Sequence, residues 1–445
     1  MNILHYSLGV FPERSGGLVR YSTDLAFEQG KTNNVYYLHP GKLGIIDKKT
    51  KIVYESDINN VHIYKINNAL PIPIYAGIKN VSIYTHPINP KIYENFLIEN
   101  SIETIHIHSL MGLHIELLRV AKELSIPVFY TSHDYFGLCP ITTLYRNNCI
   151  CNCLSINSNC AACSINAYSY IKLSFGQSRV YRLLKSNKFV SVFRKRALTN
   201  DPITQVNVST VLDDDYILLN NYYIECFSLI DWFFFNSFQS KDVYMKRLGN
   251  VPGEVTHILL PSIKDIRKER TFLKDGILHV GFMGDCNEFK GYYHLESAIS
   301  KLKASGYRIE LDVFSDNVVE NSYVKKCGRY LSSDLEIIYE SLDLVVVPSL
   351  WQETFSFIAV EALSAAMPCI VSNRVGAKDL IKDGYTGLVF DADKENAILD
   401  CLERVLKDAG ILSKINNNII NDSKKYSFFN HCSYITNKYR KFLER

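Results

Sequence analysis

Two glutamates, a lysine, a histidine and a pair of glycines have the types and spacing expected of a site for a phosphorylated ligand. Glu353 and Glu361 stand eight positions apart in ETFSFIAVE, with mostly aromatic and aliphatic residues between them. On one helix, eight steps of about 100° would leave the two carboxylates about 80° apart in direction and about 12 Å apart along the axis. That is a poor acid–base pair. We therefore expect Glu353 on a loop and Glu361 on the helix that follows it.

The helix after Glu353 would begin close to an anion. Ser356 is placed to cap this helix and Pro368 to stop it. Its N-terminus would then point at a diphosphate, because unpaired amides and the helix dipole attract negative charge there. Glu361, about one turn inside the helix, could reach a ribose, and Glu353 could hydrogen-bond a sugar.

Two glycine-bearing loops could supply further phosphate contacts. Gly16 and Gly17 in SGGLVRYSTDLA run directly into a helical pattern, so their amides could meet an anion at a helix start. Lys290 lies in the glycine-rich stretch GFMGDCNEFKG, which resembles a phosphate clamp although it lacks the Gly-Lys-Ser/Thr of a P-loop. An ordinary turn and a solvated lysine are the alternatives.

These residues follow short apolar runs that alternate with segments of helical length. Such strands indicate parallel sheets covered on both faces, with ligands at the carboxyl ends of the strands. Two series of such strands, one in each half of the chain, predict an α/β protein with two doubly wound Rossmann-like domains. The domains would be joined near the charged stretch 262–276. The predicted strands are 3–6, 35–38, 104–108, 127–131 and 232–235, then 278–280, 309–314, 344–347 and 369–371.

The predicted boundaries place the first domain at 1–262 and the second domain at 263–425. A Cys-rich and basic insert occupies about 139–200 of the first domain, and a helix at 426–445 is expected to pack back on that domain.

Composition excludes several classes of protein. The chain has 445 residues, of which 47% are hydrophobic and 21% charged, as in packed globular proteins. A net charge of +3 does not favour nucleic acid as a partner. MNILHYSLGV lacks a basic leader and no apolar run reaches the roughly 18 residues of a membrane span. We therefore expect a cytoplasmic protein, peripheral on the inner face of the plasma membrane, with reduced or metal-bound cysteines.

Together the motifs resemble family 4 of the retaining glycosyltransferases, which have the GT-B fold. The two glutamates, preceded by VVVPS and followed by EALSAAMPCIVSNRVGAKDLIKDGYTGLVF, are similar to the donor signature of that family. SGGLVRYSTDLA, TSHDYFGLCP and GFMGDCNEFKG resemble its glycine loop, its HD strand end and its diphosphate loop. The resemblance implies two domains facing a central cleft, with an acceptor-side domain at 1–262 and a nucleotide-sugar-binding domain at 263–425. It also implies transfer of a sugar from a nucleotide-sugar donor to a glycan or polyprenyl-linked acceptor in surface polysaccharide assembly. No cofactor is required for such catalysis.

The resemblance also implies roles for individual residues. Glu353 would meet the donor sugar and His133 would lie beside the anomeric centre, so both are assigned to catalysis. Lys290 would bind the diphosphate and Glu361 the ribose. The full set assigned to donor binding is Gly16, Gly17, Lys290, Thr354, Phe355, Ser356, Phe357 and Glu361.

The sequence departs from the family pattern at three positions. Phe282 stands where many members have an arginine, which puts a second phosphate cation in doubt. Ala366 replaces a helix-ending glycine, and Asp379 replaces a glutamate. The first departure concerns function and the second concerns structure alone. A sugar-nucleotide epimerase or phosphorylase of the same fold, or a non-catalytic sugar-nucleotide-binding scaffold, remains as an alternative function.

Six cysteines within 25 residues form a second signal, and Cys160-Ala-Ala-Cys163 has the spacing of a zinc half-site. Four of the six could hold one structural zinc. The alternatives are a set of buried or surface thiols and, less favoured, an iron–sulfur cluster. The cluster comprises Cys139, Cys149, Cys151, Cys153, Cys160 and Cys163. The acidic triplet of LDDDY, residues 212–216, is interpreted as a solvated turn in a loop, with a metal site as the less favoured alternative.

Residues 165–200 contain eight lysines and arginines and no acidic residue. On a helix, Arg179, Arg182 and Lys185 would share one face opposite apolar residues. This pattern favours contact with an anionic membrane surface. The alternatives are a solvated helix packed on its own domain and, less favoured, RNA binding.

Overall fold

The structure is a computed structural model that describes residues 1–44, 47–73, 75–177, 213–408, 410–423 and 426–444. The predicted basic face of Arg179, Arg182 and Lys185 lies outside the described residues. None of the helices in the described ranges combines the length and the apolar character that crossing a bilayer requires.

The first part of the chain forms an eight-stranded sheet and a separate two-stranded hairpin. The strands are β1 Asn2–Tyr6, β2 Asn34–Pro40, β3 Lys51–Ile58, β4 Val61–Asn67, β5 Thr104–Ile107, β6 Val128–Thr131, β7 Tyr145–Arg146, β8 Cys149–Ile150, β9 Trp232–Phe235 and β10 Gly253–Val255. The large sheet has the order β10-β9-β6-β5-β1-β2-β4-β3, and β7 pairs with β8. Neighbours are parallel except β3 and β4, so we call it the first sheet of a doubly wound fold.

The second sheet has six parallel strands. They are β11 Leu278–Met283, β12 Ile309–Phe314, β13 Val324–Lys326, β14 Leu344–Val347, β15 Cys369–Ser372 and β16 Leu388–Phe390. The order β13-β12-β11-β14-β15-β16 reverses between β11 and β14. Ligands of open parallel sheets bind at the carboxyl ends of strands beside such a reversal. The loops after β11 and β14 are therefore the expected place for a site.

Helices cover both sheets. They are α1 Gly17–Gln29, α2 Ser82–Thr85, α3 Lys91–Glu99, α4 Ile115–Glu123, α5 Cys160–Cys163, α6 Tyr170–Gly176, α7 Asp213–Ser228, α8 Phe238–Leu248, α9 Tyr292–Ala304, α10 Leu335–Ser341, α11 Phe357–Ser364, α12 Ala397–Lys407, α13 Gly410–Ile420 and α14 Phe428–Leu443. In α12 the buried residues Ile398, Leu402 and Val405 recur at helical spacing and face the sheet. Short 3₁₀ turns span Ser332–Asp334 and Gly376–Leu380.

The last helix returns to the first sheet. His431 Nε2 of α14 lies 2.8 Å from the hydroxyl of Tyr21 in α1, and the hydroxyl of Tyr439 lies 2.5 Å from Nδ1 of His106 in β5. These are buried polar contacts across more than 300 residues of sequence. The last helix thus contributes directly to the core beneath the carboxyl ends of the first sheet.

The acidic triplet at Asp213–Asp215 does not form a loop. It begins α7, so the predicted solvated turn is wrong. Acidic residues in the first turn of a helix interact favourably with the positive end of its dipole. The triplet therefore has a structural explanation that requires no metal.

Candidate functional site

Lys290 and Glu353 meet at the point where the order of the second sheet reverses. Nζ of Lys290 lies 2.7 Å from Oε1 of Glu353, and the Ser349 hydroxyl donates to Oε2 at 2.5 Å. Glu353 is only 9% exposed, so the lysine neutralises a nearly buried carboxylate. Nζ of Lys290 also lies 5.4 Å from the ring centroid of Trp351, within the range of a cation–π contact.

Backbone pairing fixes the loop that carries Glu353. The amide of Glu353 donates to the carbonyl of Arg374 at 2.9 Å, and the amide of Gly376 donates to the carbonyl of Glu353 at 2.9 Å. From α8, the side-chain amide of Gln239 donates to the carbonyl of Arg374 at 2.7 Å. Residues after a strand of the second sheet and a residue of α8, which follows the first sheet, therefore hold Glu353 in position.

The same loop touches the end of β6 in the first sheet. The Thr354 hydroxyl donates to the carbonyl of His133 at 2.8 Å, and the Ser237 hydroxyl donates to the carbonyl of Thr354 at 2.8 Å. Thr354, which follows Glu353 directly, thus links the loop of Glu353 to the backbone of His133, the other predicted catalytic residue. We call the space between the carboxyl ends of the two sheets the cleft.

The first-sheet side of the cleft carries a neutral histidine and an acid. Burial lowers the pKa of His133 to about 3. Burial raises the pKa of Asp134 to about 6, opposed by hydrogen bonds from the Phe136 amide and the Ser109 hydroxyl. Burial also raises the pKa of Tyr75, and the negative charges of Asp134 and Glu353 raise it further, so both acids act on the same tyrosine.

The N-termini of α1 and α11 converge in the cleft. α1 begins at Gly17, and a Cβ added there would lie 3.1 Å from the Phe357 ring at the start of α11. A Cβ added at Gly16, where φ is +127°, would find no atom of the described residues within 4 Å. The positive ends of two helix dipoles therefore face an open space that could receive an anion.

Two details of α11 differ from the sequence prediction. Ser356 occupies the predicted N-cap position, but its side chain makes no capping hydrogen bond. The helix ends at Ser364, before Pro368. Ala366 then adopts φ of +54°, a left-handed conformation that glycine adopts more readily.

Glu361 lies inside α11 and is 6% exposed. Burial raises its pKa to about 7, and the nearby Arg20 guanidinium opposes that shift. Nη1 of Arg20, from α1, also donates to the Ser332 hydroxyl at 2.9 Å. Arg20 thus links α1 to the second-sheet side and supplies a cation near Glu361.

The predicted phosphate residues Gly16, Gly17, Lys290 and Phe357 surround the cleft with Glu353 and His133. Sequence reasoning missed four residues that complete it: Arg20, Asp134, Gln239 and Ser349. Asp134 and Ser349 each follow a buried strand by a few positions, a signal that was available in the sequence. Arg20 and Gln239 lie on helix surfaces and carried no such signal.

The cysteines come near one another without forming a coordination shell. Burial raises the pKa of Cys139 to about 12 and that of Cys160 to about 11, and the neighbouring Cys151 thiol raises both further. Cys149 on β8 is exposed. Among the described residues, three ligand atoms lie within 4.8 Å of one another only at His5, His106 and His108.

Comparison with known proteins classifies the second-sheet region. The family model described as glycosyl transferases group 1 matches residues 264–426. We call residues 264–426, the part of the chain that is similar to this family, the group 1 domain. The group 1 domain contains Lys290, Glu353 and Glu361, whereas Gly16, Gly17 and His133 lie outside it.

Two curated relatives match parts of the chain. The capsular polysaccharide biosynthesis glycosyltransferase CapM of Staphylococcus aureus is 24% identical over 162 residues, 34% of this chain and 42% of the relative. The UDP-Gal:alpha-D-GlcNAc-diphosphoundecaprenol alpha-1,3-galactosyltransferase of Escherichia coli is 35% identical over 92 residues, 20% of this chain and 24% of the relative. The chain therefore matches less than half the length of each.

A solved structure matches over the whole length. HepE of Anabaena, in complex with UDP-glucose, superposes with a TM-score of 0.58 at 12% identity, covering 99% of this chain and 100% of HepE. At this identity the likeness shows the fold alone. The fold is GT-B, which confirms the prediction of two Rossmann-like domains facing a cleft.

Proposed function

We propose that this protein transfers a sugar from a nucleotide-sugar donor to a glycan or lipid-linked acceptor, with retention, in the assembly of a surface polysaccharide. The convergence of Lys290 and Glu353 at 2.7 Å, beside the N-termini of α1 and α11, carries the proposal. A nucleoside diphosphate gains negative charge as it leaves, and an ammonium group with oriented amides stabilises that charge. Glu353, whose partner Lys290 would turn to the diphosphate, is then available to the sugar.

The related proteins support the proposal in different ways. CapM is named for capsular polysaccharide biosynthesis, and the Escherichia coli relative is named for a UDP-sugar donor and a diphosphoundecaprenol acceptor. HepE binds UDP-glucose in the same fold. A uridine nucleotide is therefore the first donor class to test, and a polyprenyl-linked glycan the first acceptor class.

The experiment that tests the proposal has two stages. Nucleotide sugars are screened for protection of the purified protein against thermal unfolding, and those that protect are incubated with and without polyprenyl-linked acceptors. Sugar transfer that requires both substrates supports the proposal. UDP release or epimerised donor without an acceptor would favour the epimerase. Donor binding without any turnover would favour a scaffold.

Glu361 should make donor affinity depend on pH. A carboxylate that accepts hydrogen bonds from ribose hydroxyls must be ionised, and its pKa in the free protein is about 7. We expect UDP affinity to fall by up to tenfold per pH unit below about 7 and to level off above it. Glu361→Gln should weaken UDP binding at pH 8 and reduce the pH dependence to the part that arises from the terminal phosphate of UDP, whose second pKa is about 6. Calorimetry at pH 5.5 to 8.5 checks both expectations. If UDP affinity depends on pH in the variant as steeply as in the wild type, Glu361 does not bind the ribose.

The same variant should gain stability at high pH. Because the folded pKa of Glu361 is raised from 4.5 to about 7, folding retains a proton that the unfolded chain loses between these values. Stability due to this group therefore declines as pH rises through that window. At about 1.4 kcal/mol per pKa unit, the difference amounts to about 3 kcal/mol above pH 7. Thermal unfolding of Glu361→Gln should show this gain at pH 8 and none at pH 4.

We propose one structural zinc in the cysteine cluster. The spacing of Cys160 and Cys163 supports it, and the Cys151 thiol lies close enough to Cys139 and Cys160 to raise the pKa of both. Elemental analysis of protein purified without chelator is expected to find about one zinc per chain. Replacing Cys160 and Cys163 by serine should remove the metal. Less than about a tenth of an equivalent in the wild type would favour plain thiols.

We also propose that residues 165–200 bind anionic bilayers. Ile171 and Phe175 on α6 lie within this stretch and are 68% and 54% exposed. Each cation near such a surface contributes about 1 kcal/mol. Changing Arg179, Arg182 and Lys185 to Glu should abolish sedimentation with phosphatidylserine-containing vesicles and leave UDP affinity intact. Equal sedimentation of the two proteins, or none in the wild type, would contradict membrane binding.

A further inference from the structure

A line of buried hydrogen bonds runs from the last helix to His133 in the cleft. It crosses α14, α1, β1 and β5 and is composed of side chains that the proposed chemistry does not itself use. The links are Thr436 Oγ1 to the Cys432 carbonyl at 2.8 Å, Gln29 Nε2 to Thr436 Oγ1 at 3.0 Å, Gln29 Oε1 to His5 Nε2 at 2.7 Å, His5 Nδ1 to His108 Nε2 at 3.0 Å and His108 Nδ1 to His133 Nε2 at 3.3 Å. We call this line the histidine relay.

Its direction is set at the end farthest from the cleft. A threonine hydroxyl has one hydrogen, and Thr436 donates it to a backbone carbonyl of its own helix. Thr436 must therefore accept from the amide NH₂ of Gln29. The other atom of that amide group, the carbonyl oxygen, then faces His5 and can only accept.

The direction passes unchanged through the two buried histidines. Burial keeps His5 and His108 neutral, so each ring has one N–H and one bare nitrogen. His5 donates from Nε2 to Gln29 and accepts at Nδ1 from His108. His108 therefore carries its hydrogen on Nε2 and accepts at Nδ1 from Nε2–H of His133.

The last ring is left with one defined tautomer. His133 has its hydrogen on Nε2 and a bare lone pair on Nδ1. Nδ1 has no hydrogen-bond partner among the described residues. It is also not enclosed by other atoms, so it is open to the cleft. The carbonyl of the same residue is held by the Thr354 hydroxyl at 2.8 Å.

We propose that the histidine relay makes His133 a hydrogen-bond acceptor for a sugar hydroxyl in the cleft. Gln29, Thr436, His5 and His108 are positioning residues that fix its tautomer. This role rests on the proposed sugar transfer, but the tautomer itself does not. The bound hydroxyl donates to Nδ1, so a sugar that lacks this hydroxyl would lose the contact.

A metal ion is the competing explanation for the histidines. Ligand atoms of His5, His106 and His108 lie within 4.8 Å of one another. All six of their ring nitrogens nevertheless have hydrogen-bond partners, because His106 contacts the Tyr439 hydroxyl at 2.5 Å and the Thr131 hydroxyl at 2.7 Å. A metal would have to break several of these bonds, so the hydrogen-bonded arrangement is favoured.

The test combines histidine tautomers with turnover in three variants. Thr436→Val keeps the shape of the side chain and removes the group that orients Gln29, whereas Thr436→Ser keeps the hydroxyl. Gln29→Leu removes the acceptor for His5. ¹⁵N chemical shifts of histidine-labelled protein report the tautomer of His133, whose signals are assigned by their loss in His133→Asn.

In the wild type and in Thr436→Ser, His133 is expected to carry its hydrogen on Nε2 alone. Thr436→Val and Gln29→Leu should show a mixture of tautomers. Their turnover should fall about three- to tenfold, the worth of one neutral hydrogen bond, with UDP affinity unchanged. Hydrogen on Nδ1 in the wild type, identical tautomers in all folded variants, or a stoichiometric metal lost in His5→Ala would overturn the relay. If no sugar transfer is found but the tautomers behave as expected, the proposed function fails and the relay stands.

Discussion

Lys290→Ala is expected to lower kcat by about 10²–10³-fold, the range for losing one group that stabilises charge in a transition state. Nζ of Lys290 lies 2.7 Å from Glu353 in the free protein, and donor binding would bring a diphosphate between the lysine and the helix N-termini. Charge on that diphosphate grows as the sugar leaves. The lysine therefore contributes more to the transition state than to the bound donor, and kcat should fall more than affinity.

The ion pair with Glu353 offers a second explanation that a double variant can separate. Glu353 is itself assigned to the donor sugar, so Glu353→Gln is expected to be slow on its own. If Lys290 only neutralises Glu353, then Lys290→Met combined with Glu353→Gln should be no slower than Glu353→Gln alone. If the lysine stabilises the leaving group, the double variant should be slower than either single variant. Turnover and UDP affinity are measured for the wild type, the two single variants and the double variant, which together form a double-mutant cycle. Lys301→Ala, which changes an α9 lysine that bonds to Asn396, is the matched control and should behave as the wild type.

The sequence predicted the strands that carry the site because those strands are apolar and buried. β11, β12, β14 and β15 are almost wholly enclosed, so their composition alone identified them. The hairpin of β3 and β4 was missed. β3 has no buried residue, and its backbone pairs at the sheet edge. Edge strands such as this one depend on a neighbour rather than on their own hydrophobicity.

The sequence could predict those site residues that lie in loops directly after strands. Lys290 and Glu353 could be placed together because β11 and β14 are neighbours at a reversal of strand order. Contacts between the two sides, such as Thr354 with His133, depend on how the two sheets are placed and have no local signature. Part of the histidine relay had a signal that was overlooked: His5 lies within β1, and His108 directly follows β5, the parallel neighbour of β1.

Gly291→Ala is expected to destabilise the group 1 domain by at least about 3 kcal/mol and to weaken UDP binding. Gly291 follows Lys290, caps α9 and adopts φ of +74°. A Cβ there would lie 1.9 Å from the Pro348 carbonyl oxygen, backbone that cannot turn aside as a flexible side chain can. The loop after β11 would have to move away from the loop after β14, which would separate Lys290 from Glu353.

The matched control is Gly306→Ala. Gly306 has φ of +88°, but a Cβ there would meet no atom of the described residues within 4 Å. The Gly306→Ala variant should lose about 1–2 kcal/mol of folding stability, the strain of an alanine with a left-handed backbone. The protein has two tryptophans, so in a Trp232→Phe background the buried Trp351, in the loop after β14, reports unfolding of the group 1 domain. Denaturation followed by Trp351 fluorescence, together with UDP calorimetry, compares the two glycine variants in that background. Both glycines have a left-handed backbone, but only Gly291 lies close to another loop. If the two variants lose equal stability, or if Gly291→Ala keeps full UDP affinity, the close approach of the two loops does not hold Lys290 in place.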